Sequence, residues 1–423
     1  MTNIPAKKLE DLEKKTLAII MAGGSGSRLK SLTDWHSKPA VPFGGKFRSI
    51  DFPLSNCINS NIRKICILTQ YKSHSLNTHI DWGWSFLQHE LDEYIELVPA
   101  QQRIKNDWYQ GTADAIYQNL DIIEHHKPEY VLILAGDHIY KMDYRLMLEQ
   151  HIQTQSDITV GCIEVPLAAA TGFGVLEINA EKRITEFVEK PAEPKAAPHN
   201  PELAMASMGI YIFNAQFLAN ILKQDASQVS SSHDFGADIL PSLINNSEHR
   251  VSGYNFVDTS TGQAAYWRDV GTVDAYYKAN IELCDVTPAL NLYDQNWPIL
   301  TYQEQLPPAK FVFDDDDRRG YAVDSLVSSG CIISGSKIER SVIFNHVKVD
   351  SYSQISESVI LNSAHIGRNC RIKRAIIDRN CYVPANTVIG YDTKEDQRRF
   401  FVSPGGITLV SKEMLEVNSD GIT

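Results

Sequence analysis

Several patterns that would assign this chain to a familiar class are missing from its 423 residues. The seven cysteines form no Cys-x-x-Cys pair, which argues against zinc ligands and disulfides and indicates reduced, buried thiols in a cytoplasmic protein. No apolar run approaches the ~20 residues that cross a bilayer, and no secretory signal precedes residue 16. The net charge of −12 excludes a global basic footprint for nucleic acid. We therefore expect neither nucleic acid nor a membrane as a partner.

The usual signatures of covalent, zinc-dependent and dinucleotide chemistry are also absent. There is no Gly-x-Ser-x-Gly elbow and no His-x-x-x-His pair. What is present is a glycine-rich segment at 22–29, Ala-Gly-Gly-Ser-Gly-Ser-Arg-Leu, after the apolar run 16–21. It lacks the third glycine of a dinucleotide fingerprint and the Gly-Lys-Ser/Thr of a P-loop. Glycines after a strand let backbone N–H groups approach a phosphate, and a tight structural turn is the alternative.

Charged side chains accompany this loop and the end of a later apolar run. Arg28 and Lys38 are suited to neutralise a triphosphate, whereas Lys190, after a strand-like run, is suited to a second phosphate. Asp137 follows the apolar run 132–135 and a glycine, and Asp269 lies in Tyr-Trp-Arg-Asp-Val-Gly-Thr. Mg²⁺ takes one or two protein carboxylates besides phosphate oxygens, so both aspartates are candidate ligands. The alternatives are surface cations and aspartates of turns or helix N-caps.

Short apolar strands alternate with helical patterns over the first two-thirds of the chain. This order is typical of an α/β fold with a mostly parallel sheet covered on both faces. Such sheets bind ligands beyond the carboxyl ends of their strands, where the glycine loop and Asp137 lie. The pattern predicts strands at 17–21, 64–69, 130–135, 157–165 and 206–213, and helices at 112–125 and 144–154.

The last third has a repeat of 17 residues, seen in Ser341-Val-Ile, Ser358-Val-Ile and Ala375-Ile-Ile. A helix repeats every 3.6 residues and a strand every two, so steps of six, six and five predict three short strands per coil. We expect a left-handed parallel β-helix of about four coils between Leu326 and Gly390. Its inward residues are predicted at 332, 338, 343, 349, 355, 360, 366, 372, 377, 383 and 389.

The sequence thus divides into a catalytic domain at 13–288, a linker at 289–325 and a C-terminal β-helix at 326–423 for regulation and oligomerisation. Four prolines between 285 and 308 mark the linker. In combination, seven segments resemble the bacterial glucose-1-phosphate adenylyltransferases, also called ADP-glucose pyrophosphorylases, over about residues 16 to 415. The segments are 22–29, 45–52, 108–115, 135–140, 187–191, 206–211 and 266–272.

The resemblance implies a Rossmann-like nucleotide-sugar transferase domain joined to the β-helix. It implies the reaction of ATP with α-D-glucose 1-phosphate to give ADP-glucose and pyrophosphate, which supplies the glucosyl donor of glycogen. By the same resemblance, Asp137 and Asp269 hold Mg²⁺, and Arg28 and Lys38 contact the triphosphate. The implied nucleotide site is Ala22, Gly23, Gly24, Gln70, Gly111 and Thr112, and the implied glucose 1-phosphate site is Tyr109, Gly174, Glu189, Lys190 and Ser207.

The resemblance also implies a homotetramer that responds to phosphorylated effectors, AMP or sugar phosphates, between its two domains. Enterobacterial members are activated by fructose 1,6-bisphosphate. Here Trp35 stands at the position of their main activator lysine, and the neighbouring arginine is His36. Other cations of that site are replaced by Pro42, His125 and Glu416, whereas Arg48, Arg379 and Lys412 remain. We therefore expect a weak response to fructose 1,6-bisphosphate or a different effector, unless Lys46, Arg398 or Arg399 compensates.

Three other functions are compatible with parts of the sequence. A nucleotidyltransferase that uses UTP or dTTP would share the glycine loop and the aspartates. A non-catalytic regulatory subunit is disfavoured because Arg28, Lys38, Asp137 and Asp269 are all present. An acyltransferase is a poor interpretation, since the β-helix has few coils and His346 and His365 fit turns or faces better than a catalytic base.

Overall fold

The computed structural model describes residues 11–24, 26–101, 108–258, 261–315 and 317–420. An α/β unit is followed by a parallel β-helix. None of the described helices combines the length and the apolar character needed to cross a membrane. All seven cysteines are buried and free of disulfides.

Nine strands of the first unit form one sheet. The strands are Thr16–Ala22 (β1), Lys64–Thr69 (β2), Tyr94–Pro99 (β3), Tyr130–Ala135 (β4), Ile158–Pro166 (β5), Gly174–Ile178 (β6), Ile184–Glu189 (β7), Leu203–Asn214 (β8) and Val251–Asn255 (β9). Their order in the sheet is β7-β6-β8-β4-β1-β2-β3, and β5 pairs with β8 on one side and with β9 on the other. Strands β3, β2, β1 and β4 are parallel, whereas β8 is antiparallel to β4, β5 and β6. The predicted α/β class is confirmed, with the antiparallel pairs gathered around β8.

Helices cover both faces of this sheet, and the predicted helix at 112–125 is two helices, Thr112–Tyr117 (α3) and Leu120–His126 (α4). The break lies at Asn119, whose side-chain amide donates to the Ala115 carbonyl, 2.8 Å away, and to the Tyr109 hydroxyl. Such a local bond competes with the helical pattern. The α-helices are Asp51–Asn59 (α1), His74–Gly83 (α2), Thr112–Tyr117 (α3), Leu120–His126 (α4), Tyr144–Gln153 (α5), Ala215–Ala226 (α6), Leu240–Asn245 (α7), Val273–Ile281 (α8), Thr393–Arg399 (α9) and Lys412–Asp420 (α10). Short 3-10 segments lie at Ser27–Thr33, Lys38–Ala40, His89–Leu91, Leu167–Gly172 and Glu282–Cys284, and a π-helical turn lies at Phe235–Ile239.

A bulge interrupts β8 on its way past the cleft. The register with β5 shifts between Ser207 and Ile210, and Gly209 has a φ of +66°. Glycine takes this left-handed conformation at no steric cost, because it has no Cβ. Two small antiparallel pairs complete this unit: Pro42–Phe43 forms a hairpin with Phe47–Arg48, and His138–Tyr140 pairs with the distant strand Trp267–Asp269.

The repeat of the last third forms the left-handed parallel β-helix that it predicts. Ten of the eleven predicted inward residues are buried, and the exception is Ile332, which is 41% exposed, because Ile333 occupies that inward position. The first stacked strands, Lys310–Val312 and Tyr321–Val323, come from the stretch interpreted as linker. The three stacks are Lys310–Val312, Ile332–Ser334, Lys348–Val349, His365–Ile366 and Tyr382–Val383; Tyr321–Val323, Lys337–Glu339, Gln354–Ser356, Arg371–Lys373 and Val388–Ile389; and Leu326–Val327, Val342–Ile343, Val359–Ile360, Ala375–Ile377, Thr408–Val410 and Phe401–Val402. A small hairpin joins Asp314–Asp315 to Arg318–Arg319.

The β-helix packs on the first unit through a shared apolar core. Phe43, Phe52 and Tyr276 of the first unit belong to the same buried cluster as Phe344 and Leu361 of the β-helix. The Tyr276 hydroxyl donates to the Pro42 carbonyl, 2.6 Å away, and the Tyr277 hydroxyl donates to the Glu357 carbonyl. The two units therefore share one buried apolar core at their junction, so a packed interface holds them together in addition to the connecting chain.

Candidate active site

A cleft opens beyond the carboxyl ends of β1, β2 and β4, as expected for such a sheet. Its first half, a cavity of about 360 Å³, is lined by five of the six residues expected for the nucleotide, namely Gly23, Gly24, Gln70, Gly111 and Thr112. Its second half, about 420 Å³, is lined by Gly174, Glu189, Lys190 and Ser207, four of the five residues expected for glucose 1-phosphate, and by Arg28 and Asp269. Lys38 and Asp137 line both halves.

Lys38 joins the two aspartates at the meeting point of the halves. Its Nζ forms ion pairs with a carboxylate oxygen of Asp137 and, 3.1 Å away, with Oδ1 of Asp269. Burial by itself lowers the pKa of Lys38, but the two carboxylates outweigh it and raise that pKa above its usual value. Burial likewise opposes ionisation of Asp137, yet Lys38 and then His138 hold the pKa of Asp137 below its usual value. Asp137 thus presents a charged carboxylate to the cleft.

Two expected residues lie elsewhere in this arrangement. Ala22 ends β1 with a buried side chain and does not line either half. Tyr109 lines the first half rather than the second, so the structure does not bring it together with the other four residues expected for the sugar phosphate. Arg28 is exposed and forms no ion pair within the described part of the chain, which leaves its guanidinium for a ligand. Ser25 of the glycine loop lies outside the described residues.

Comparison with known proteins decides the family. The model of the nucleotidyl transferase family matches residues 17–286, and that of a GlmU-like C-terminal hexapeptide domain matches residues 307–410. A glucose-1-phosphate adenylyltransferase of Methylococcus capsulatus is 59% identical over 404 residues, 96% of this chain and 95% of the relative. That of Nitrosococcus oceani is 57% identical over 413 residues, 98% and 97% of the two chains. The chain belongs to the glucose-1-phosphate adenylyltransferase family.

Nucleotidyl transferases generally use divalent metal ions, and the cleft of this glucose-1-phosphate adenylyltransferase family member has a donor set that fits one. One ligand atom from each of Asp137, His138 and Asp269 lies within 4.8 Å of the others. The two carboxylates are brought together because Asp269 is the partner of His138 in the antiparallel pair of His138–Tyr140 with Trp267–Asp269. The oxygen-rich set suits a hard cation.

Four glycines of the adenylyltransferase cleft lie so close to neighbouring atoms that an added Cβ would collide with them. A Cβ on Gly271 would lie 2.8 Å from both the Asp269 Oδ1 and the Lys38 Nζ, and 3.0 Å from the Arg28 Nη2. Similarly, a Cβ on Gly236 or Gly174 would lie within 3 Å of Glu189 Oε2. At Gly111 it would lie 2.2 Å from the carbonyl oxygen of His233. Gly111 therefore requires the absence of a side chain because the obstructing atoms are backbone, whereas at Gly271 and Gly236 the obstructing atoms are side-chain ends, which would have to move.

Sequence reasoning missed Asp234, which lines both halves of the cleft. Its carboxylate accepts a hydrogen bond from the Thr112 hydroxyl, 2.9 Å away, and hydrogen bonds from the backbone N–H groups of Gly236 and Ala237. It thereby ties the start of α3 to the wall that holds Glu189. Asp-Phe-Gly at 234–236 has the form of a helix N-cap, and only this long-range contact distinguishes it from an ordinary cap.

Another cavity lies at the junction of the α/β unit and the β-helix, about 250 Å³ in volume. Three of the residues expected for effectors, His36, Arg48 and Arg379, line it together with Lys46. Burial, then Arg379 and Arg48, lower the pKa of His36 to about 3, so His36 is neutral there. The other two do not line the cavity: Trp35 is 73% exposed, and Lys412 pairs with Glu416, 3.6 Å away, on α10.

Proposed function

We propose that this chain transfers the adenylyl group of ATP to α-D-glucose 1-phosphate, giving ADP-glucose and pyrophosphate, the glucosyl-donor step of glycogen synthesis. The observation that carries the proposal is the cleft in two halves that meet at Lys38 and Asp137. Two polyanions need separate sites and a shared centre of positive charge. The names of relatives at 57–59% identity supply the identity of the two substrates.

Each half receives one substrate in this proposal. ATP occupies the first half, where backbone N–H groups of the glycine loop approach phosphates. The phosphate of glucose 1-phosphate occupies the second, where Lys190 extends from the end of β7. Glu189, which pairs with Lys190 at 2.7 Å, and Ser207 are suited to bind sugar hydroxyls. Tyr109 remains a proposed contact of the sugar phosphate, reached from the nucleotide side.

Mg²⁺ is the ion that we propose for Asp137 and Asp269, because two protein carboxylates plus phosphate oxygens suffice for it. When bound, it neutralises charge on the triphosphate and on the leaving pyrophosphate. Arg28 and Lys38 supply further positive charge from the protein. Lys38 also keeps the two carboxylates together through its ion pairs.

The chemistry is an in-line displacement at the α-phosphorus of ATP. An oxygen of the glucose 1-phosphate forms the new bond as the bond to pyrophosphate breaks. The attacking phosphate is already ionised near pH 7, so no side chain must remove a proton. The residues of the cleft act by positioning both polyanions and by neutralising their charge.

A nucleotide panel tests the proposal. Pyrophosphate release is measured with glucose 1-phosphate and ATP, UTP, dTTP, GTP or CTP in turn. We expect ATP to give the highest kcat/KM. A preference for UTP or dTTP would identify another sugar-phosphate nucleotidyltransferase, and no release with any nucleotide would favour a regulatory subunit.

We predict that Lys190→Gln chiefly weakens binding of glucose 1-phosphate. Loss of a charge-assisted contact to phosphate raises KM for glucose 1-phosphate by about tenfold or more, whereas KM for ATP changes little. Lys195→Gln is the matched control, since Lys195 pairs with Glu177 and Glu186 outside the cleft. Initial-rate kinetics check both, and an unchanged KM for glucose 1-phosphate would remove Lys190 from the site.

We also propose the junction cavity as the site of a phosphorylated effector. Lys46, Arg48 and Arg379 give it positive charge. Trp35 in place of a lysine removes one cation, however, and Lys412 is engaged by Glu416. AMP or a sugar monophosphate needs fewer cations than a bisphosphate does.

Fructose 1,6-bisphosphate is accordingly predicted to activate weakly. Each missing charge-assisted contact is worth about 1.5–3 kcal/mol, which corresponds to roughly tenfold or more in effector concentration. The rate is measured against fructose 1,6-bisphosphate, AMP and glucose 6-phosphate at fixed substrate. Strong activation by fructose 1,6-bisphosphate at low concentration would contradict the prediction and would indicate that Lys46 compensates.

Finally, we propose a catalytic domain at 13–288, a linker that begins at 289 and ends before the stacked strand Lys310–Val312 instead of at 325, a C-terminal β-helix domain after it, and a homotetramer in the cytoplasm. Apolar side chains on the β-helix support self-association, because Ile332, Tyr382 and Val388 are each at least 41% exposed. Seven free cysteines fit a reducing compartment. Light scattering on the full chain tests the tetramer.

A further inference from the structure

A second group of potential metal ligands lies on the sheet face covered by α4. Cys66 of β2 and Glu96 of the edge strand β3 are direct partners in the parallel register, so both side chains point to one face of the sheet. His126, the last residue of α4, lies over the same place. A thiol, a carboxylate and an imidazole thus arrive from three separate elements.

The distances between these groups are close to those around one tetrahedral ion. Cys66 Sγ lies 3.9 Å from Glu96 Oε2, and His126 Nε2 lies 3.6 Å from the same oxygen. All three ligand atoms lie within 4.8 Å of one another. Bond lengths of a zinc site imply separations of about 3.4–3.6 Å between ligand atoms. The two separations that involve Glu96 lie within a few tenths of an ångström of these values, and the Cys66 thiol and the His126 imidazole, which lie within 4.8 Å of each other, would move closer together on binding.

We propose that Cys66, Glu96 and His126 bind one transition-metal cation of the Zn²⁺ class, with a fourth position open to water. Thiolate and imidazole select this class over Mg²⁺ and Ca²⁺, which prefer oxygen ligands. A thiolate and a carboxylate balance the double charge of the ion, so a neutral unit is buried. Glu96 is about half exposed, with 49% of its side chain accessible, and provides the path from solvent.

Tyr94 supplies a second, independent observation. The residue is 7% exposed, and its hydroxyl has no hydrogen-bond partner within the described residues. Its ring stacks on His126, with centroids 4.8 Å apart. A buried hydroxyl without a partner destabilises the fold, and ligand oxygens or water around an ion beside His126 would satisfy it.

Binding exchanges one bond for another at Cys66. The S–H bond breaks and its proton passes to solvent. A lone pair of the resulting thiolate then binds the metal, with no change of oxidation state. The ion would join the end of α4 to the edge of the sheet. Thr112, at the start of α3, and Gln70, just after β2, both line the nucleotide half of the cleft. By holding α4 against β2 and β3, the ion would stiffen the elements that carry these two residues.

Cobalt(II) titration of the metal-free full-length chain tests this site. Excess Mg²⁺ is present throughout, and a thiolate-to-cobalt charge-transfer band is recorded, which Asp137 and Asp269 cannot produce. We expect one Co²⁺ per chain and loss of the band when Zn²⁺ is added. A folded chain that shows no such band with excess Co²⁺ overturns the proposal.

Variants assign the ligands. Glu96→Gln and His126→Gln are expected to raise the Kd for Co²⁺ by at least about tenfold, and Cys66→Ser to abolish the band. His125→Gln is the matched control, since His125 is the neighbouring imidazole on α4 outside the ligand set, and its Kd should be unchanged. A band that persists in folded Cys66→Ser contradicts the site. If that variant fails to fold, unchanged Kd values for Glu96→Gln and His126→Gln overturn the proposal instead.

Discussion

Asp137→Asn is expected to lower kcat by roughly a thousandfold while KM for ATP changes little. The substitution removes one charge from the pair that would hold the metal and one of the two ion-pair partners of Lys38. The amide oxygen is a weak ligand, and Lys38 is then held by Asp269 alone. Loss of one preorganised electrostatic contact at a reacting phosphate costs about 10²–10³-fold, and here two contacts change together. Steady-state kinetics of pyrophosphate release, with Mg²⁺ varied, check the result.

Asp294→Asn is the matched control for this prediction. Asp294 also pairs with a lysine, Lys141, 3.3 Å away, but it does not line the cleft. Its replacement should leave kcat unchanged. If Asp137→Asn retained a kcat near that of the unaltered chain, Asp137 would not be a metal ligand and the proposed centre would be wrong.

Gly271→Ala is expected to lower kcat/KM by about a hundredfold with little change in thermal stability. The added methyl group would overlap Asp269 Oδ1, Lys38 Nζ and Arg28 Nη2, all within 3.0 Å of the ideal Cβ. These atoms are the ends of flexible side chains, so they move instead of breaking the fold. Displacement of a positioning group by about 1 Å can cost 10²-fold in rate.

Two measurements on the same protein separate the explanations for Gly271→Ala. Thermal unfolding reports whether the fold is intact, and kinetics report the displaced charges. A loss of rate accompanied by a large fall in Tm would show that Gly271 has a structural role. Full activity would show that the three charged ends need not converge beside Gly271.

Gly111 provides a useful contrast to Gly271. There a Cβ would meet the carbonyl oxygen of His233 at 2.2 Å, which is backbone and cannot move freely. That carbonyl accepts hydrogen bonds from the N–H groups of Ala113 and Asp114. The two cleft glycines are thus needed for different reasons: Gly271 leaves room for charged side chains, and Gly111 lets α3 pack against the backbone at His233.

Local patterns predicted much of the architecture. The steps of six, six and five predicted the β-helix because each coil repeats one local environment, and ten of the eleven inward positions are buried. The apolar runs 64–69 and 130–135 match β2 and β4 residue for residue. The prediction that Ile332 points inward was wrong because Ile333 beside it is equally apolar. A shift of one residue moves a side chain to the opposite face of a strand. The prediction of one helix over 112–125 was wrong because the Asn119 side chain donates a hydrogen bond to the Ala115 carbonyl, and the helix is interrupted there.

The sequence by itself determined the periodicities and the residue types: a strand ending in glycines, the aspartates, the cations and the coil repeat. The tertiary structure alone decided which of these meet. Lys38 joins Asp137 and Asp269, Asp234 reaches Thr112, and Cys66 meets Glu96 and His126 although no cysteine spacing suggests a metal. Periodicity depends on neighbours along the chain, and a sequence displays it directly. Contacts between distant residues depend on strand order and register, which result from packing the whole sheet and its helices.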